Sequence, residues 1–333
     1  MFGSWRGWRV GFDRLGLSGS WGYGQRKTSA QAEPVEARAR RWPLALIALT
    51  LVSASPTKFA PKAPPVTQLL KACDQKDGWA DPAPPARIDG QVYYVGTCGI
   101  TVLLIASPQG HILIDAGPEE AAPLVLANIR RLGLNPRDVK WLLASHAHFD
   151  HVGGLAALQQ ATGARIAAIP AQARELERGE PFPDDPQLGA IKRFTPVKVA
   201  RVLKDGVPLK LGSNQVTAFA TPGHTTGSTS WVIRGCGAQV CPAIAYTDST
   251  SAISADGYRF SDHPAWTAMF RIGVARIGTL PCAIQITPHP AGSALFERLA
   301  GDAPLHDPGQ CKRYAAGALA KLDERLAKER AAK

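Results

Sequence analysis

The chain has 333 residues, 45% of them hydrophobic, which is enough to bury a sizeable core and too apolar for a long disordered protein. Its formal charge is +11, but the first 55 residues alone hold eight Arg and Lys against three Asp and Glu. The remaining surplus is spread without a basic run or basic-aromatic interleaving, so no nucleic-acid partner is expected.

Residues 1–37 place Trp5, Trp8 and Trp21 among Gly and Ser with no helical or strand period, and are expected to be unstructured. The run Ala32-Glu33-Pro34-Val35-Glu36-Ala37-Arg38 resembles translated repetitive intergenic DNA, so a start later than Met1 is expected. Since Met269 is the only other methionine, that start would be non-AUG. Residues 38–54 read as a signal peptide: Arg38, Arg40 and Arg41 at the charged end, Pro43 to Val52 apolar, and Val52-Ser53-Ala54 as a small-x-small cleavage site. The apolar stretch is too short for a permanent span, and no cysteine follows it for lipidation. The expectation is a periplasmic protein with no stable membrane anchor, whose residues 55–333 form a single α/β domain.

Val92 to Val95 and Thr101 to Ala106 read as strands, with Ser107-Pro108-Gln109-Gly110 turning into His111 to Ile114, an antiparallel meander. Glu119 to Leu132 has helical apolar spacing, acidic residues at its positive end, and Gly133 as its stop. Trp141 to Ala144 is a short buried strand that runs into Ser145-His146-Ala147-His148-Phe149-Asp150-His151. A helix follows from Val152-Gly153-Gly154 to about Ala161, closed by Gly163, with the paired glycines letting backbone pass close to the motif. Glu177 to Phe194, with Pro181, Pro183 and Pro186, reads as an irregular surface loop bordering the site. Three more apolar runs end in polar motifs: Val216 to Ala220 before Thr221-Pro222-Gly223-His224-Thr225, Ile244 to Thr247 before Asp248-Ser249-Thr250-Ser251, and Ala283 to Thr287 before Pro288-His289-Pro290. Arg313 to Lys328 closes the chain as an amphipathic helix.

Three imidazoles and a carboxylate in six positions are ligand types that suit Zn²⁺, and a catalytic zinc takes about three protein ligands with one position open. One motif therefore cannot complete two sites, and His224 and His289 must join it from other strand ends, where sheet proteins gather functional groups. His111, His263 and His306 belong to no such pattern and read as structural. Asp115, in Leu113-Ile114-Asp115-Ala116-Gly117, reads as a buried acid that hydrogen-bonds the motif loop.

Six cysteines in an exported chain argue for disulfides, though six allow fifteen pairings. Cys236 and Cys241 flank a hairpin turn between two strand-like runs and form the clearest pair, leaving Cys73 with Cys98 and Cys282 with Cys311 by neighbourhood. A buried free thiol remains the alternative, above all at Cys98.

The ordered set His146-x-His148-x-Asp150-His151, Gly223-His224-Thr225 and Pro288-His289-Pro290 resembles the metallo-β-lactamase superfamily, over about Cys73 to Cys311. Tyr94-Val95-Gly96-Thr97-Cys98-Gly99 with Gly110 to Asp115 is similar to the opening strands of its subclass B3, as is Ser249, which falls where other subclasses carry a cysteine ligand. The resemblance implies a four-layer αβ/βα sandwich, two mixed sheets face to face with helices outside. It implies two zinc ions, the first on His146, His148 and His224, the second on Asp150, His151 and His289, with a hydroxide between them. That hydroxide would open the lactam ring of penicillins, cephalosporins and carbapenems and so confer resistance, with Asp150 orienting it. Ser251 would meet the substrate carboxylate and Ser249 a zinc-bound water, in a monomer, and the three cysteine pairs match some B3 enzymes. Asp248 keeps another superfamily hydrolase in view, because glyoxalase II-like thioesterases use an aspartate on this strand to bridge their metals, and lactonases are a further option. A non-catalytic metal or nucleic-acid binder is disfavoured by the intact ligand set and the scattered charge.

Overall fold

The computed structural model describes residues 59–234 and 242–332, all within the compact unit Pro56–Lys333. The expectations for the unstructured leader, the start and the signal peptide lie outside the described residues, as does the Cys236–Cys241 pair.

Helix α1 (Val66–Ala72) leads into β1 (Ala86–Asp89), β2 (Val92–Tyr94), β3 (Leu103–Ile105) and β4 (His111–Ile114), an antiparallel meander as the turn chemistry predicts. Beyond β4 the chain alternates helix and strand. Helix α2 (Ala122–Arg131), entered through a one-turn 3-10 segment at Glu119–Ala121, leads to β5 (Val139–Leu143). Then come α3 (Phe149–Val152), α4 (Leu155–Thr162), β6 (Arg165–Ala168), α5 (Pro170–Arg178) and β7 (Val199–Val202). Strands β4 to β7 pair in parallel, so the seven-stranded sheet β1 to β7 is mixed. The second sheet, in the order β12-β11-β10-β9-β8, is built from β8 (Pro208–Leu211), β9 (Asn214–Ala220), β10 (Thr229–Arg234), β11 (Ile244–Tyr246) and β12 (Ile284–Ile286). Only its β11–β12 pair is parallel.

Two-residue periodicity sends alternate side chains of one strand into different cores. Ile112 and Ile114 of β4, with Trp141 and Leu143 of β5, meet Val216, Trp231, Ile233 and Ile284 of the second sheet, filling the space between sheets. Leu113 and Leu142 point the other way, onto Val125 and Ile129 of α2, Leu155 and Leu158 of α4, and Leu176 of α5. Strands buried on both faces read as continuous apolar runs, which is why β4 and β5 were legible. Helix α6 (Pro264–Ile277) and α8 (Gln310–Ala331) pack Trp266, Phe270 and Val274 against Ala315, Ala318, Leu322 and Leu326, with the short α7 (Leu295–Ala300) between them in sequence. The four-layer arrangement with helices outside is therefore present.

The segment Glu177 to Phe194 is not wholly irregular: α5 carries its first two residues, and Gly179, at φ 75°, closes that helix in the left-handed conformation. Disulfides Cys73–Cys98 and Cys282–Cys311 join α1 to the loop after β2, and the start of β12 to α8.

Candidate metal centre

The motif leaves β5 on a backbone pinned from several sides. Gln172 Nε2 donates to the carbonyls of Ala144 (2.9 Å) and Ser145 (3.0 Å), Trp231 Nε1 donates to Ala144 O (2.9 Å), and Thr229 N donates to Ser145 O (2.8 Å). His148 then caps the single turn α3, which carries Asp150 and His151. The glycines after it are required by contact: a Cβ on Gly153 would lie 2.5 Å from Phe149 O, and one on Gly154 2.8 Å from Ala116 O. Only a bare backbone lets the β4–α2 connection come this close.

Asp115 anchors that connection. It is fully buried at φ 65°, and its carboxylate accepts from Ser145 N (2.6 Å), Ser145 Oγ (2.8 Å) and Tyr246 OH (2.6 Å), with His151 Nδ1 at 3.4 Å. The expected hydrogen bond between this acid and the motif loop is thus present, and it reaches β11 as well.

Two triplets emerge, His146 with His148 and His224, and His146 with Asp150 and His151; within each, one donor atom per residue lies within 4.8 Å of the others. His289 approaches through its Nε2, 3.5 Å from Asp150 Oδ2, with its ring 4.9 Å from that of His151. The five rings also share an outward pattern. His146 Nδ1 is 2.8 Å from Asp248 Oδ1, His148 Nε2 is 3.2 Å from Asp185 Oδ2, His224 Nδ1 is 3.0 Å from Ser251 O, and His289 Nδ1 is 3.1 Å from Gly99 O. His151 completes the set with its contact to Asp115. Four rings thus rest one nitrogen on an oxygen, which fixes their orientation and leaves the other nitrogen for the cluster, and His151 is held by the longer contact to Asp115.

The donor set fits a metal on physical grounds. His146 Nε2 is buried with no hydrogen-bond partner, and such an atom costs about 1–3 kcal/mol unless something occupies its lone pair, while His151 Nε2 lies 3.0 Å from Asp150 Oδ2. Burial, compounded by His151, His224 and His148, holds His146 well below the usual imidazole range. Burial and His148 hold His224 down to about 4, and burial and His151 hold His289 down to about 4. These rings are neutral at pH 7, the form that ligates. Burial lowers His151 as it does the other rings, but Asp150 and Asp115 prevail and raise it to about 10. Burial likewise opposes ionisation of Asp150, yet His151, His146 and His289 hold its carboxyl well below the usual range. The His151 proton offsets the Asp150 charge, and a cation held by both residues would take over that role.

Asp248 stands behind His146, outside both triplets. Ser249 and Ser251 line a cavity of about 410 Å³ together with His289 and α8, and Ser251 Oγ is also 3.3 Å from His224 Nδ1. Beside the cluster Trp79, 43% exposed, packs edge-on against Phe149 with its ring 6.0 Å from His289. His111, His263 and His306 lie elsewhere: Ser107 N donates to His111 Nδ1 (3.3 Å), His263 stacks on Tyr258, and His306 is 3.7 Å from Asp89.

A family model described as the metallo-beta-lactamase superfamily matches residues 95–238. The metallo-β-lactamase MIM-1 of Novosphingobium pentaromativorans superposes with a TM-score of 0.77 at 52% identity, over 80% of this chain and 98% of that one. The chain belongs to the metallo-β-lactamase superfamily. MEM-A1, a subclass B3 metallo-β-lactamase from a soil metagenome library, gives a TM-score of 0.73 at 41% identity, over 77% of this chain and all of that one. Among curated relatives, the hydroxyacylglutathione hydrolase of Cereibacter sphaeroides is 29% identical over 190 residues, 55% of this chain. The chain spans 64% of that relative's length.

Apart from Asp115, sequence reasoning missed the site's outer partners. Asp185, which orients His148, lies in the Pro-rich loop, and its only signal was an acid pair, Asp184-Asp185, between two prolines. The carbonyls of Gly99 and Ser251 carry no signal, because any residue supplies one. Trp79 was not singled out in the sequence either, since one tryptophan in a loop carries no code for what it faces.

Proposed function

We propose that the chain is an exported, zinc-dependent β-lactamase that hydrolyses the lactam amide of penicillins, cephalosporins and carbapenems, conferring resistance. His146, His148 and His224 would hold one Zn²⁺, and Asp150, His151 and His289 a second. Zinc at such a site supplies a nucleophile from water near neutral pH and a Lewis acid for a carbonyl. The protein's own share is orientation: Asp150, kept ionised by its neighbours, accepts a hydrogen bond from the attacking water and aligns it. Ser251 donates to the substrate carboxylate and Ser249 holds a water at the rim, while Trp79 and Phe149 cover apolar substrate surface. Asp115, Asp185 and Asp248 keep the rings in register.

The observation that carries this reading is the engagement of Asp248. A bridging aspartate would offer its carboxylate to the donor set, whereas Asp248 Oδ1 is taken by the outer nitrogen of His146 at 2.8 Å, and Ser249 follows it. The 52% identity to a metallo-β-lactamase over nearly its whole length supports the same choice. Its buried, unpartnered Oδ2, with the hydroxyacylglutathione hydrolase relatives, favours thioester cleavage as the second reading. Export through residues 38–54 to the periplasm, one domain over 55–333 and a monomeric state belong to the proposal; among the described residues no helix is long and apolar enough to cross a membrane.

The test is hydrolysis of a carbapenem and a cephalosporin by zinc-loaded protein beginning near Ser55, with and without EDTA. Ring opening that EDTA abolishes and zinc restores, with far-UV circular dichroism unchanged, is expected. A folded protein carrying two zinc equivalents that leaves both antibiotics intact would overturn the reading, and turnover of a thioester by the same sample would replace it.

A further inference from the structure

Of the residues gathered at the metal centre His289 is the most open, with 38% of its side chain exposed while His146, His148, Asp150, His151 and His224 are buried. Asp150 and His151 ride together on α3, whereas His289 follows β12 in the other sheet. Its placement therefore depends on what braces it from outside.

The brace is the loop after β2. Gly99 O accepts from His289 Nδ1 (3.1 Å) and Thr101 N donates to Pro288 O (2.7 Å), so this loop holds both the ring and the backbone just before it. It is laced in turn to the segment that follows α1. Cys98 N donates to Asp81 O (3.0 Å), Gly99 N to Gly78 O (3.2 Å) and Thr97 Oγ1 to Trp79 O (2.8 Å). A Cβ on Gly99 would collide with the Asp77 carbonyl, so the two segments meet backbone to backbone. The Cys73–Cys98 disulfide closes the lacing one residue away from the Gly99 carbonyl, and both cysteines are buried. Hydrogen bonds between loops open locally, and a covalent tie at their centre limits how far they part.

We propose that the Cys73–Cys98 crosslink is the positioning device of the second metal site: it holds the Gly99 carbonyl against His289, so that the chain binds its second metal tightly only once this pair is oxidised. Oxidation takes two electrons and two protons from the thiols, and a disulfide-bearing oxidant accepts both and leaves as two thiols. Burial then shields the bond from reductants, which makes the step a one-way maturation suited to an oxidising compartment. The inference rests on the two-zinc reading and not on the choice of substrate.

The experiment is zinc titration against a chromophoric chelator, with His289→Ala marking which of the two binding steps belongs to the second site. Cys73→Ala/Cys98→Ala is compared with Cys282→Ala/Cys311→Ala, a pair of nearly equal span (25 against 29 residues) whose loss should lower Tm by a similar amount. The first pair is expected to weaken the marked step about 10- to 100-fold and leave the other within about threefold, as for loss of a histidine's outer partner. The second pair should leave both steps nearly unchanged. Gly99→Ala, which keeps the crosslink but forces the two segments apart, should weaken the same step. Equal effects of the two cysteine pairs would overturn the inference, as would a marked step left within about twofold of wild type by Cys73→Ala/Cys98→Ala or, should that protein not fold, by Gly99→Ala. If the wild-type protein takes up a single zinc, the two-zinc reading fails on its own. Hydrogen exchange of the Gly99 and Thr101 amides in the metal-free proteins then decides separately whether the crosslink holds this loop: only loss of Cys73–Cys98 should speed it.

Discussion

Replacing Asp115 by alanine strips one carboxylate from three buried donors, Ser145 N, Ser145 Oγ and Tyr246 OH, at 2.6 to 2.8 Å. A hydrogen bond to a charged group contributes about 1.5–3 kcal/mol net, and a donor left buried without a partner costs about 1–3 kcal/mol. The three share one acceptor, Tyr246 OH can turn to Thr101 O at 3.0 Å, and water entering the gap recovers part of the remaining loss, so about 4–6 kcal/mol is the sum. Alanine at φ 65° adds roughly 1 kcal/mol of backbone strain. For a domain of this size each kcal/mol lowers Tm by about 2 °C, giving a drop of about 10–14 °C. Asp115→Asn tolerates the same backbone conformation and keeps one acceptor, so about half that drop is expected. The assay is thermal unfolding of the metal-free proteins by circular dichroism, followed by zinc titration, because a slackened Ser145 misplaces the start of the ligand motif. An Asp115→Ala protein melting within about 3 °C of wild type would refute the view that this acid holds the strand ends together.

Asp248→Ala should weaken zinc affinity about 10- to 100-fold while still allowing two zincs to bind at saturation, since it removes the acceptor of His146 and no ligand; a stoichiometry that falls to one at saturating zinc would show that Asp248 ligates. Burial and Asp185 push the Glu175 carboxyl up to about 8, and neither of its oxygens has a hydrogen-bond partner. With a folded pKa above its unfolded value, its stability contribution is complete below about pH 4.5 and lost as pH rises through 8. Glu175→Gln should therefore raise Tm most above pH 8 and hardly at all near pH 4.5, by a few kcal/mol at most; a gain independent of pH would show that the acid is not the titrating group. Replacing Cys282 and Cys311 together by serine opens a loop of 29 residues, so a loss of about 3–4 kcal/mol is expected from denaturation midpoints.

Strands β2 to β5, β9, β11 and β12 were readable because each is a compact apolar run ended by Gly, Pro or a polar motif, which is a local property of the chain. Strand β6, Arg165-Ile166-Ala167-Ala168, was not, because alanine has little strand preference and only pairing between β5 and β7 makes it one. Strand β7 exposes three of its four residues at the sheet edge, so it shows no buried pattern, and α6 begins behind His263-Pro264, where the helix signal is weak.

The site divides along the same line. By itself the sequence determined which side chains gather, because imidazole and carboxylate are the right donors and each sits just past a strand. It determined neither which nitrogen of each ring faces inward nor, apart from Asp115, which acid stands behind it. Those depend on contacts such as His289 to Gly99, 190 residues apart, Tyr246 to Asp115, 131 apart, and His146 to Asp248, 102 apart. That Asp248 lies against the outer nitrogen of His146 became visible only when two sheets closed on a shared core. Packing of distant segments fixes side-chain direction, and residue type alone does not encode that direction.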